Sequence, residues 1–295
     1  VPLKFWKVEA IGNDFPLIHL EDVAAESLPE LAIRLCDRRF GIGGDGLLAA
    51  GMEERDLRLR MFNPDGTEDF CGNGLRCAAV HAYSQGWVGE AFAIRHRDRR
   101  VPTRFEPDGR VATTLGVASY RPDDIPLIGP EYFDATIWSG MDSGVALSLF
   151  GSVLTTGSTH TIIPTAALPD DDTFRSISAK IEVDPKFPER TSVIWSQEVG
   201  PMEIRIRIWE RGVGETQGCG TGSSAAAIDY LRRKAGSGEV LVHNPGGDVR
   251  VQAHGWQSPL TITGEAREVY RGDWQGDYAP ATASSVPTPH RLPEG

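Results

Sequence analysis

The sequence points to an α/β fold built on one strand–loop–helix unit used twice. Three features carry this expectation. First, Cys71-Gly72-Asn73-Gly74-Leu75-Arg76-Cys77-Ala78-Ala79 and Cys219-Gly220-Thr221-Gly222-Ser223-Ser224-Ala225-Ala226-Ala227 nearly repeat one another, each running from a cysteine through Gly-x-Gly into a small-residue helix. Second, the stretches 57–63 and 202–209 that precede them place apolar residues at every second position, the period of a half-buried strand. Third, a polar group (Asn63, Arg211) stands eight residues before each cysteine and a glycine (Gly66, Gly214) five before it. In an ungapped alignment the two alternations are out of phase by one residue, so a bulge or shifted loop is required.

Taken in order, residues 3–20 read as two strands turning at Gly12-Asn13, and 28–39 as a helix. Gly41-Ile42-Gly43-Gly44-Asp45-Gly46 matches the dinucleotide fingerprint in form only. That motif needs a strand before it and a helix after it. Here a helix precedes and strand-like 47–50 follows, so a tight loop with close backbone packing is expected. Residues 87–120 read as short strands with a turn at Pro107-Asp108-Gly109, and Arg121–Pro126 as a linker between halves. Beyond it, 134–163 is strand-like, 170–181 helical, and 191–209 two strands; helix 222–234 follows. Val240–Val242 and Val249–Val251 then flank a hairpin signal at Asn244-Pro245-Gly246-Gly247. Residues 276–295, rich in Pro, Ala, Ser and Thr, read as a loosely ordered tail.

A chain of 295 residues buries a substantial core as one large domain or two lobes. A net charge of −11 argues against nucleic acid or an anionic membrane as partner. The basic run 95–100, broken by Asp98, reads as a solvated strand or turn. No apolar run approaches a membrane span, and the first residues do not read as a secretory signal, so a cytoplasmic location is expected. Four cysteines are too few for a disulfide scaffold in a chain this long, and Cys71 and Cys77 lack zinc-finger spacing. Cys36 and Cys77 fall inside helical stretches and read as small buried apolar side chains.

Cys71 and Cys219 differ because each opens a helix. The first amides of a helix are unpaired and its dipole favours negative charge there, which lowers a thiol's pKa. Each Cys-Gly-x-Gly unit therefore offers a poised thiolate beside an anion cradle. Two units gripping one carboxylate would set their sulfurs on either side of its α-carbon. One thiolate would remove the α-proton and the opposite thiol would return one, inverting the centre. The plain alternative is two packing cysteines or a disulfide.

The chain closely resembles the diaminopimelate epimerases. The resemblance rests on Gly12-Asn13-Asp14-Phe15, Arg39–Gly43, Phe62–Glu68, Cys71–Gly74, Phe187-Pro188-Glu189-Arg190, Trp209–Thr216 and Cys219–Gly222. It implies two pseudo-symmetric lobes, each a mixed or antiparallel sheet wrapped around a central helix, with the active site in the cleft. The lobes would be 1–122, joined by a returning strand at 265–275, and 123–264. Cys71 and Cys219 would be the acid/base thiols, supported by His160 and Glu210. Gly72, Asn73, Gly220 and Thr221 would hold the reacting carboxylate. Asn13, Asn63 and Arg211 would bind substrate, and Tyr270 would sit at a homodimer interface. No metal, nucleotide or pyridoxal phosphate is implied.

Two positions depart from the family pattern. Ser158 stands in Gly-Ser-Thr-His where Gly-Asn-Pro-His is usual, and Ser192 stands where an asparagine follows Pro-Glu-Arg. Both asparagines would bind the distal amino-acid head, and serine is shorter with a different donor pattern. The expected activity is inversion of LL- or meso-diaminopimelate, serving lysine and cell-wall precursor synthesis. The alternatives are a racemase for another polar or acidic amino acid, or a non-catalytic amino-acid-binding relative.

Overall fold

In the computed structural model, residues 2–142 and 144–281 are described; the remainder of the expected tail, 282–295, lies outside them. Two compact units divide the chain: Val1–Thr113 with Gly264–Gly295, and Thr114–Thr263. The division falls upstream of 122. The segment expected as a linker forms a short 3-10 turn at Pro122–Asp124, and Ile125 is buried in the second unit's core.

The first unit contains β1 (Leu3–Ala10), β2 (Asn13–His19), α1 (Leu28–Cys36), β3 (Leu47–Glu53), β4 (Asp56–Phe62), α2 (Gly72–Ser84), β5 (Ala91–His96), β6 (Arg99–Phe105) and β7 (Val111–Val117), whose end passes into the second unit. The second contains β8 (Ala135–Asp142), β9 (Val145–Thr155), β10 (Thr159–Thr165), α3 (Asp171–Glu182), β11 (Ser192–Gly200), β12 (Glu203–Glu210), β13 (Gly214–Thr216), α4 (Gly220–Arg233), β14 (Gly238–Asn244), β15 (Gly247–Ala253) and β16 (Pro259–Gly264). The last strand, β17 (Arg267–Trp274), pairs antiparallel with β1.

The pairing order inside the two units is the same. In the first, β1–β2 is antiparallel, β2–β3 parallel, β3–β4 antiparallel, β4–β5 parallel and β5–β6 antiparallel. In the second, β9–β10, β10–β11, β11–β12, β12–β14 and β14–β15 repeat that series. Each parallel step is crossed by a helix, as a parallel pair requires.

The two helices of each unit do different work. α1 buries Leu28, Leu31, Ala32, Leu35 and Cys36, the single stripe of an amphipathic helix, and α3 likewise buries Phe174, Ile177, Ser178 and Ile181. By contrast, α2 is buried on every side from Gly72 to Ala79, and α4 from Gly220 to Asp229. α2 packs against β1, β2, β3, β4 and β17, and α4 against β9, β10, β11, β12, β14 and β15. A helix enclosed by strands needs small side chains all round, which explains the Gly, Ala and Ser content of both repeats.

The one-residue phase slip has a local cause. Phe62 bridges Glu68 in the first unit and Trp209 pairs with Glu215 in the second. Gly66 N–H donates to the Asn63 carbonyl, and Val213 N–H to the Glu210 carbonyl. The two hairpins are therefore equivalent, with Asn63 matching Glu210 rather than Arg211. The extra residue lies just before the second cysteine, where 216–218 replaces 69–70.

The Gly41–Gly46 loop is a close-packed turn. A Cβ on Gly41 would lie 2.1 Å from the Arg34 carbonyl oxygen, so only glycine fits under the end of α1. The stretch from residue 276 is not loose as far as it is described. Val23 bridges Pro280, Ala24 N–H donates to Ala279 O at 2.9 Å, and Tyr278 packs on the α1 core. No helix of the described residues is long and apolar enough to cross a membrane.

Candidate active site

Each thiol is itself the cap of its buried helix. Cys71 (φ −133°, ψ 114°) accepts the Gly74 N–H at 3.3 Å, and Cys219 (φ −133°, ψ 113°) accepts the Gly222 N–H at 3.4 Å. A sulfur in the place of a capping oxygen receives an orphan amide and stands at the positive end of the helix. The amides of Gly72 and Gly220 come before the first intrahelical bonds, Leu75 N–H to Cys71 O and Ser223 N–H to Cys219 O. They are placed to serve an anion.

The second glycine of each motif serves packing. A Cβ on Gly74 would lie 3.0 Å from Leu48 Cδ2, and one on Gly222 would lie 2.9 Å from Ile194 Cδ1. These glycines let the helix start press against a buried strand side chain.

In the first unit Cys71 is grouped with Asn13 and Asn73. Asn73 Nδ2 donates to Asn13 Oδ1 at 3.1 Å, the Cys71 sulfur lies 3.8 Å from that oxygen, and Asn13 Nδ2 donates to Asp45 Oδ2 at 2.7 Å. Arg38 bonds both Asp14 and Asp45, fixing the far end of the chain of contacts. Asn63 is held in its own turn, donating to Thr67 Oγ1 at 3.0 Å.

Two residues of this half-site were not singled out from the sequence. His96, fully buried, accepts the Cys71 N–H on Nε2 at 3.2 Å and donates from Nδ1 to the Leu59 carbonyl at 3.2 Å. Burial holds its pKa down to about 4, so the neutral ring serves as donor and acceptor at once. The basic run around it had read as solvated; the usable signal was its place two residues after Ile94 on the inward face of β5. Arg76, also fully buried, donates to Asn73 Oδ1 at 2.5 Å and to the Gly72 carbonyl at 3.4 Å.

In the second unit the Cys219 sulfur lies 3.4 Å from Thr221 Oγ1, which is 3.3 Å from Ser158 Oγ. Thr156 Oγ1 donates to the Thr221 carbonyl at 2.8 Å. His160 donates from Nδ1 to the Ser158 carbonyl at 2.7 Å, while its Nε2 is buried without a partner among the described residues. Burial, aided by the nearby Arg211 charge, holds its pKa down to about 4. The result is a neutral imidazole with one lone pair to offer. Ser192 Oγ accepts the Arg211 N–H at 3.2 Å, Arg211 Nη1 donates to the Glu189 carbonyl at 3.3 Å, and Glu210 Oε1 accepts from Thr216 at 2.6 Å.

The other two cysteines are inert. Burial pushes the Cys36 thiol up to about 12 and the Cys77 thiol well above its ordinary value. Among the described residues no group of three or more His, Cys, Asp or Glu side chains is arranged to hold a metal ion.

Comparison with known proteins places the chain in a family. The diaminopimelate epimerase family profile matches residues 5–120 and 152–269, spans that include every residue named above in the two half-sites. A diaminopimelate epimerase of Desulforudis audaxviator is 34% identical over 282 residues, covering 92% of this chain and 99% of its own. That of Pseudomonas aeruginosa is 32% identical over 275 residues, covering 92% and 98%. Among solved structures, a PhzF-family phenazine biosynthesis protein of Bacillus anthracis shares the fold, with a TM-score of 0.64 at 16% identity, covering 92% of this chain and 99% of its own. A hydroxyproline epimerase of Agrobacterium vitis aligns with a TM-score of 0.61 at 12% identity, covering 92% and 90%. Both halves of the repeat thus fall under one profile, and the chain belongs to the diaminopimelate epimerase family, a pyridoxal-phosphate-independent isomerase of the epimerase and racemase type.

Proposed function

We propose that the protein interconverts LL- and meso-diaminopimelate by proton transfer at one α-carbon between the thiols of Cys71 and Cys219. The observation that carries this reading is the matched pair of sulfur caps, one on each buried helix. Binding alone has no use for two such thiols.

In the proposed reaction one thiolate takes the α-proton and becomes a thiol. The electron pair left on carbon spreads into the carboxylate as an ene-diolate. Amide donors at a helix N-terminus, Gly72 or Gly220, stabilise the charge as it develops. The opposite thiol then donates its proton to the other face and becomes the thiolate. His160 Nε2, a buried acceptor without a partner among the described residues, suits the substrate ammonium. Arg211 suits a carboxylate at the non-reacting end, and Asn13 and Asn63 offer further polar contacts. Tyr270, half exposed on β17 and edge-on to Phe5 at 6.0 Å, is the proposed homodimer contact.

A second reading has a specific observation in its favour. Ser158 and Ser192 direct their hydroxyls to Thr221 and to the Arg211 backbone. The distal recognition of this chain therefore differs from the asparagine pattern, and a racemase for another polar or acidic amino acid fits it. Hydrogen-bonding sites discriminate strongly, so such a change alters substrate choice.

Incubation in heavy water with LL-diaminopimelate and a panel of L-amino acids decides between them. Inversion of diaminopimelate with α-deuterium incorporated supports the first reading. Exchange confined to another amino acid supports the second. Binding without any α-exchange would mark the protein as a non-catalytic relative.

A further inference from the structure

The turn that carries Glu210 and Arg211 is anchored from outside itself. Val213 is 73% exposed and Gly212 is exposed too, so apolar packing does not hold the tip. The equivalent turn of the first unit supplies its own anchor. There Asp65 Oδ1 accepts the Thr67 N–H at 2.9 Å and the Thr67 hydroxyl at 2.6 Å. Since Gly66 N–H bonds the Asn63 carbonyl as Val213 N–H bonds that of Glu210, Gly212 stands where Asp65 does. A glycine has no carboxylate to offer, and this one takes its carboxylate from α3.

The donor of that carboxylate is Glu182, the last residue of α3, which is buried. Its Oε1 accepts the Gly212 N–H at 2.7 Å, and its Oε2 accepts the Trp209 indole N–H at 2.7 Å. The two bonds fall on the residues immediately either side of Glu210-Arg211. Arg190 Nη1 also donates to Oε1, at 3.4 Å, and the Thr191 N–H donates to the Glu182 main-chain carbonyl at 3.2 Å. One residue thus holds both 190–191 and 209–212. Those same segments meet where Ser192 Oγ accepts the Arg211 N–H and Arg211 Nη1 donates to the Glu189 carbonyl. The last residue of α1, by contrast, is Cys36, a member of the apolar core. The fold therefore builds the same hairpin without a carboxylate at that helix end.

We propose that Glu182 is a positioning residue for recognition of the substrate's non-reacting end. It acts through Trp209 and Gly212 without touching substrate, and it sets where Arg211 stands relative to Ser192. This rests on the reading of Arg211 above as the contact for a far carboxylate. Charge-assisted bonds to a buried carboxylate are short and directional, so they fix a turn that packing leaves free. Removing the acceptor leaves two donors unpaired and lets the turn move. None of the bonds of Glu182 goes to either thiol, so the effect falls on binding and not on proton transfer.

The test has one arm that needs no substrate. Amide exchange in heavy water is read by mass spectrometry on peptides covering 209–213 in the wild type, Glu182→Gln and Trp209→Phe. A glutamine oxygen accepts from one of the two donors while its NH2 opposes the other. The turn should exchange at least about tenfold faster in Glu182→Gln, with α4 unchanged. In the second arm KM and kcat are measured on whichever amino acid undergoes α-exchange. Glu182→Gln should raise KM about tenfold or more and keep kcat within about threefold. Trp209→Phe removes one bond and keeps the carboxylate, so it should show the same split to a smaller degree and add little when combined with Glu182→Gln. An unchanged exchange rate in the turn overturns the proposal, as does faster exchange with KM unchanged or a loss confined to kcat. If the wild type turns over no amino acid, the reaction itself is removed and this role goes with it, whatever the exchange arm gives. If Glu182→Gln does not fold, Trp209→Phe decides by the same two readouts.

Discussion

Cys71 and Cys219 have the same backbone conformation to within one degree, and each caps its helix by accepting the amide three residues on. Two incidental packing cysteines have no reason to share both a backbone conformation and a capping bond, whereas a pair of groups acting on one carbon needs both. Cys71→Ala or Cys219→Ala should therefore abolish stereoinversion, with the rate falling by at least about 10³-fold. Loss of a cap costs about 1 kcal/mol, so both variants should remain folded. Wild-type turnover by either one, measured by α-deuterium incorporation, would remove the two-thiol mechanism.

Gly222→Ala tests whether the sulfur position depends on the pressed helix start. In an unhindered helix the change would stabilise by about 1 kcal/mol. Here the new Cβ would meet Ile194 Cδ1 at 2.9 Å and the Cys219 sulfur at 3.4 Å. Overpacking of this kind costs about 1–3 kcal/mol and moves the nearest atoms. Activity should fall more than stability does. Ile194→Val removes the obstructing Cδ1, so the double variant should be more stable than the sum of the single costs implies, and urea unfolding measures the difference.

Much of this arrangement could be read from local pattern. The repeat, the strand periods and the hairpin at 244–247 follow from residue order alone, because each reflects a local constraint. The phase slip could be seen but not located, since only the pairing of Trp209 with Glu215 shows that the extra residue falls after the hairpin. His96 was obscured by its arginine neighbours: charge composition describes the exposed face of β5 and not the face turned inward. Arg76 was hidden for the opposite reason. A lone arginine among Leu75, Cys77, Ala78 and Ala79 becomes a buried cation only because α2 is enclosed on all sides, which no short stretch of sequence reveals.

Acid should destabilise the protein in a defined window. His19, His96 and His160 are held down to about 4, each by burial first, with His81 and Lys4 adding to the effect on His19. Unfolded histidines take up protons near pH 6.5, while the folded ones resist until about 4. Their stabilising contribution is thus complete above 6.5 and is lost as the pH falls toward 4. For a fully buried histidine the loss is roughly 3 kcal/mol, and less for the partly exposed His19. Urea unfolding at pH 7, 5.5 and 4.5 should show this decline, and His96→Asn should reduce its slope by about one proton. A flat profile across the window would contradict the neutral assignment of these rings.

Ser192 gives the clearest access to substrate choice. Its hydroxyl accepts the Arg211 N–H at 3.2 Å, and on β11 it pairs in register with His160. In Ser192→Ala that amide loses its acceptor in a poorly solvated place, at a cost of about 1–3 kcal/mol, and the Arg211 segment should loosen. If Arg211 binds the far carboxylate of diaminopimelate, the expected effect is on binding: KM rises about tenfold or more while kcat changes little. Ser192→Asn is the informative counterpart. An amide oxygen can still accept from Arg211, and the amide nitrogen reaches further than a hydroxyl. With diaminopimelate as substrate, Ser192→Asn should equal or improve on wild-type kcat/KM. With a shorter amino acid as substrate it should instead obstruct the site, so the sign of the change in kcat/KM distinguishes the two readings of the distal pocket.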